Sequence, residues 1–145
     1  MYEHIDIDVD IEDFKKLNYN TATIDPIFHN NYVEAGHSPD AMTIHNYFEP
    51  NPMPAVVDKI KEHFSYLNPL TVAVNYMKPG KYLPLHSDMY KRWMQVHDIN
   101  NINNIVRAIV MLEDGYPGQI LQIDSQCYTM WRKGAYMTWQ GSTPH

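Results

Sequence analysis

The chain has 145 residues, a formal net charge of −6, 44% hydrophobic and 19% charged residues, a composition that excludes a disordered or fibrous polymer and fits one globular domain with a core of its own. Its one cysteine, Cys127, cannot form an internal disulfide, its start reads as no secretory signal, and no apolar run approaches the roughly 20 residues that span a bilayer; a cytoplasmic protein with no membrane partner is expected. Arginine occurs only as Arg92, Arg107 and Arg132 in an acidic chain, so the basic footprint of a nucleic-acid partner is missing.

Residues 4–11 alternate polar and apolar with period two, the pattern of a half-buried strand whose aspartates face water. From Asn18 to Pro54 turn signals at Asp25-Pro26, Ser38-Pro39 and Pro50-Asn51-Pro52 predict irregular structure with short extended pieces. A helix is expected over 54–67, because proline suits a first turn and Val56, Val57, Ile60, Phe64 and Leu67 recur at threes and fours. Beyond Asn68-Pro69 the pattern is strand: 70–77, 82–88, 106–112, 120–124, 128–131 and 135–140, separated by Pro79-Gly80, Gly115-Tyr116-Pro117-Gly118 and Gly134. Short strands at near-regular spacing imply a mainly β fold, a jelly-roll-like double sheet flanked by one or two helices.

Within 82–88, period two places His86 and Asp88 on one face of a strand, where both can meet one ion. His4-Ile5-Asp6 fits the same short expression, but its neighbours continue the alternation outward and it reads as a solvated face. His145 follows a strand bounded by Gly134 and by Gly141-Ser142-Thr143-Pro144 and offers a third ligand. Two imidazoles and a carboxylate on facing strands form a facial set that leaves three adjacent positions open, the arrangement of non-haem Fe(II) oxygenases, whereas zinc prefers a tetrahedral set with one open position. His29, His37 and His45 lie in the least regular third and read as loop histidines. His97-Asp98 would put its acid on the opposite face of a strand and also reads as a loop. The segment Met89-Tyr90-Lys91-Arg92-Trp93 directly after Asp88 is placed to form a lid over the ion, and its cations Lys91 and Arg92 either contact an anionic substrate or, the simpler account, form a solvated pair. Cys127 has no base beside it in sequence. Arg107 interrupts the apolar run 105–110: facing inward it needs an anionic partner, and facing outward it leaves Val106, Ala108 and Val110 to fill the core.

The stretch Pro79-Gly80-x-x-Leu83-x-Leu85-His86-x-Asp88 resembles the proximal metal motif of the prolyl hydroxylases and AlkB-like demethylases, within the Fe(II)- and 2-oxoglutarate-dependent dioxygenases. Arg107, Trp131-x-x-Gly134 and His145 are similar to the distal half of the aspartyl/asparaginyl β-hydroxylases. The resemblance covers residues 70–145, roughly half the chain. It implies a double-stranded β-helix in which His86, Asp88 and His145 hold Fe(II), 2-oxoglutarate takes two open positions and O2 the third. It also implies that oxidative decarboxylation to succinate and carbon dioxide is coupled to hydroxylation of a protein, peptide or amino-acid side chain. Arg107 would grip the distal carboxylate of the 2-oxoglutarate co-substrate, because a guanidinium fork matches a carboxylate. Tyr76, placed like a 2-oxoglutarate-binding tyrosine of prolyl hydroxylases, would also touch the co-substrate, or else pack as a core tyrosine. These families usually carry an Arg or Lys about ten residues past the distal histidine. This chain stops at His145, so a single oxygenase domain over 1–145 that lacks its last strand is expected, or one in which Arg107 serves alone. An AlkB-like nucleic-acid demethylase, suggested by Asn75 and opposed by the net acidity, and a non-catalytic cupin-like metal-binding module are the alternative functions.

Overall fold

A computed structural model of the chain describes residues 2–23 and 26–145. The described residues are β-rich, with eight short strands in three small antiparallel sheets and four α-helices. No described helix is long and apolar enough to cross a membrane. The chain divides into two compact units, the first made of the stretch up to Glu12, Pro54–Leu70 and Leu85–His145, the second of Asp13–Met53 and Thr71–Pro84.

In the first unit, β1 (Glu3–His4) pairs with Tyr136 and Ala135 of β8 (Ala135–Gln140), and Ile5 N–H continues to the Gly134 carbonyl at 2.8 Å. The alternation beyond β1 persists in burial, with Ile5 and Ile7 buried and the aspartates exposed, but the expected strand over 4–11 is only two residues long. Asp10 ends the extended run: its Oδ1 accepts the Glu12 N–H at 3.0 Å, an N-cap that opens α1 (Ile11–Lys15). The helix expected over 54–67 forms as α3 (Val56–His63). It is shorter because the Phe64 to Leu67 end is a chain of turn hydrogen bonds, from Ser65 N–H to Glu62 and from Leu67 N–H to Phe64. Its apolar stripe, Val56, Ile60 and Phe64, packs with Ile5, Ile7 and Tyr136, and Ala108, Val110 and Leu112 join this core. Phe64 meets the Tyr136 ring edge-on at 5.1 Å, and the Tyr136 hydroxyl donates to Glu3. That hydrogen bond, with burial, pushes the phenol up to about 12.

The other face of the same sheet is also covered. β5 (Val106–Val110) pairs with β8 in the register Arg107↔Trp139 and Ile109↔Met137, and Ile109, Met137 and Trp139 pack against the hairpin of β6 (Leu121–Ile123) and β7 (Gln126–Tyr128). Ile123, Met137 and Trp139 form the second core, with Ile109, Met111, Leu121 and Tyr128 against it. A sheet buried on both faces explains β8, where Ala135, Tyr136 and Met137 are all buried in succession.

The second unit is the antiparallel sheet β2 (Asn20–Thr23), β3 (Thr43–Phe48) and β4 (Ala73–Tyr76), with α2 (Pro26–Glu34) between its first two strands in sequence. Much of this lies where irregular structure is expected. The strands escape period-two reading because they carry Asn, Thr and His, and β3 is half-buried along almost its whole length. The turn expected at Asp25-Pro26 falls partly outside the described residues. The stretch 82–88 is not a strand either: Pro84 has no N–H for a ladder, and His86 and Asp88 sit in an irregular segment before α4 (Lys91–Val96), a helix that the sequence reading misses.

Gly134 turns the chain into β8 with φ +84, and a Cβ there would stand 2.2 Å from the Ile5 carbonyl oxygen. Gly134→Ala therefore loses the left-handed turn and forces β1 off the sheet edge; chemical unfolding is expected to register a loss on the order of 2 kcal/mol or more.

Candidate metal centre

His86 and His145 are joined by backbone before their side chains meet. The His86 N–H donates to the His145 carbonyl at 2.9 Å and the His145 N–H to the His86 carbonyl at 2.7 Å, a single hydrogen-bonded pair of an antiparallel ladder. Side chains of such a pair emerge on the same face, and the two rings lie 4.7 Å apart. The segment bearing His145 is tied further by Gly141 N–H to the Ile105 carbonyl at 2.8 Å and by Asp124 N–H to the Pro144 carbonyl at 2.8 Å.

Asp88, two residues beyond His86, turns its carboxylate to both rings. Its Oδ1 stands 3.6 Å from His86 Nε2 and its Oδ2 3.5 Å from His145 Nε2, and one ligand atom from each of the three residues lies within 4.8 Å of the others. Donors about 2.1 Å from one ion stand about 3 Å apart when adjacent in an octahedron and about 3.4 Å apart in a tetrahedron. The two carboxylate–imidazole distances lie close to the tetrahedral spacing and somewhat beyond the octahedral one, and are too long for direct hydrogen bonds.

The state of His145 follows from its partners. Its Nδ1 lies 3.0 Å from the Thr143 carbonyl oxygen, which can only accept, so Nδ1 carries the proton and Nε2 of the neutral ring presents a lone pair. The side chain is 7% exposed, and burial, opposed by the Thr143 hydrogen bond and aided by Arg107, pushes the imidazolium pKa down. Nε2 is buried without a hydrogen-bond partner. A neutral imidazole oriented through Nδ1 by a backbone carbonyl, with a bare Nε2 facing a carboxylate, is the donor chemistry of a metal ligand, and the three residues fit a divalent cation.

Arg107 faces the site. Its Nη1 donates to Asp88 Oδ2, the anionic partner that an inward-facing arginine needs, and its guanidinium carbon lies 5.8 Å from the Trp139 ring centre. Ala108 and Val110 fill the opposite core at the same time, so both halves of the alternation are used. Burial lowers the Arg107 pKa. Trp139 lies against His145, ring centres 4.8 Å apart, with its Nε1 buried and lacking a hydrogen-bond partner. Tyr90, just beyond Asp88, holds a left-handed φ of 48 at the start of α4, and its hydroxyl is likewise buried without a partner, which pushes the phenol up to about 12 by desolvation.

The structure thus brings together His86, Asp88, His145 and Arg107. Tyr76 belongs to the second unit, where its ring stacks on His45 and tilts against Tyr19. His4 and Asp6 stay at the surface, His4 Nε2 contacting the Lys133 carbonyl at 2.8 Å. His37 bonds the Tyr82 hydroxyl at 2.8 Å, and His97 closes α4 against Trp93. The sequence reading misses the Thr143 carbonyl, which carries no side-chain signal, and names Tyr90 only as part of the segment after Asp88, since its burial has no local pattern.

Comparison with protein-family models, with curated proteins and with solved structures found no match. The donor geometry makes a direct prediction. Mn(II) at about 100 times its Kd raises the unfolding free energy by about 2.7 kcal/mol, read as a higher Tm, and His86→Ala and His145→Ala abolish that rise.

Proposed function

We propose that the chain is an Fe(II)- and 2-oxoglutarate-dependent dioxygenase that hydroxylates a protein, peptide or amino-acid side chain, built on a double-stranded β-helix. The observation that carries this reading is the buried His145 Nε2, left without a hydrogen bond and turned to the Asp88 carboxylate opposite His86. A His-Asp-His set supplies three ligands and leaves adjacent positions for a chelating keto acid and O2. The jelly-roll reading draws on the first unit, where the β6–β7 hairpin covers one face of the sheet β1-β8-β5 and the histidine ligand follows β8.

In this reading His86, Asp88 and His145 hold the ion, and Fe(II) supplies the activation of O2 that side chains cannot provide. His145 contributes a neutral donor whose proton is parked on Nδ1 against the Thr143 carbonyl. Asp88 contributes the site's one negative charge. Trp139 shields the His145 ring from water, which keeps the dielectric low around the ligands. The net charge of −6 and the absence of a basic footprint favour a polypeptide or amino-acid substrate over nucleic acid.

Mixing the protein anaerobically with Fe(II) and 2-oxoglutarate is expected to give a weak visible metal-to-ligand charge-transfer band, and admitting O2 to release succinate. A protein that is stabilised by metal but shows no response to the keto acid is a metal-binding module, and the dioxygenase reading fails.

A further inference from the structure

Arg107 is a cation in direct contact with one of the three candidate ligands. Its Nη1 donates to Asp88 Oδ2, the oxygen that also faces His145, while Oδ1 is turned to His86. We propose that Arg107 is a positioning residue for the ligand Asp88 and does not anchor the distal carboxylate of the co-substrate; this rests on the metal-site reading above.

Three observations support it. The arm is fixed at its base, because Arg107 sits within β5 opposite Trp139, and at its head by the Trp139 ring beneath the guanidinium. The carboxylate is fixed by the arm: an aspartate gripped at one oxygen by a charged fork cannot rotate freely, and it offers a metal one oxygen rather than both. One-oxygen binding leaves three positions open beside two imidazoles in an octahedral sphere, and two-oxygen binding leaves only two, one short of what a chelating keto acid and O2 need together. Placement completes the argument. The distal carboxylate of 2-oxoglutarate lies at the far end of a five-carbon chain from its chelating end, whereas this guanidinium touches a residue that holds the metal.

The experiment measures Kd for Co(II) by calorimetry in the wild type, Arg107→Met and Arg107→Lys, then Kd for 2-oxoglutarate and for 2-oxobutyrate, which lacks the distal carboxylate, on the Co(II)-saturated proteins. Metal binding is expected to weaken about 10- to 100-fold in Arg107→Met and less in Arg107→Lys, with the wild-type preference for 2-oxoglutarate over 2-oxobutyrate retained in both. Variants that bind Co(II) as tightly as the wild type or tighter, or that lose the preference, overturn the inference. Should Arg107→Met not fold, Arg107→Lys decides by the same comparison, since it keeps the charge and loses the fork. A wild type that binds no Co(II) overturns the metal-site reading and the inference with it. One that binds Co(II) but neither keto acid overturns the dioxygenase reading alone, and the metal constants still decide the role of Arg107.

Discussion

The two reciprocal hydrogen bonds between the His86 and His145 backbones are the constraint on which the site depends. They join segments that are remote in sequence and fix three things together. The two imidazoles emerge on one face of the pair, their rings lie close, and Asp88, two residues along, reaches both of them. The cluster is therefore set by the main chain. Rotamers then complete it.

That backbone pair is held by β8. Tyr136 packs into one core with Ile60 and Phe64, and Met137 and Trp139 pack into the other with Ile123, so burial on both faces determines where the strand ends. Gly141 then bonds to Ile105 and Pro144 to Asp124, carrying the fixed position of β8 forward to His145. A mutation in either core acts on the site through this strand. Gly134 acts from its other end, where only a residue without Cβ lets the chain pass the Ile5 carbonyl.

Much of this was legible in the residues. The stripe Val56, Val57, Ile60 and Phe64 marks α3 because an amphipathic helix with one buried face has a regular period. Glycine and proline punctuation places β5 to β8 to within a few residues. Elements without such a signature were missed: β2 and β3 are held by backbone pairing among Asn, Thr and His, and α4 has no buried residue to impose a period. Of the site, His86 and Asp88 are marked by their spacing and by the Pro-Gly turn before them, but the strand expected beneath them is replaced by a single ladder pair. The side on which Arg107 falls depends on the register of β5 with β8, a non-local quantity that alternation alone leaves open.

Charge connects the site to the reading of its function. Before any ion enters, Asp88 and Arg107 cancel each other, and His145 is kept neutral by burial and by the Arg107 charge, against the opposing pull of the Thr143 carbonyl. A divalent cation placed among these groups keeps nearly all of its charge and gains a guanidinium as neighbour, an arrangement that partial burial makes costly. Histidine cannot offset that charge, and Asp88 is already shared. On the proposed reading, a dianionic keto acid that chelates through a carboxylate would supply the offsetting negative charge at the positions the three residues leave open.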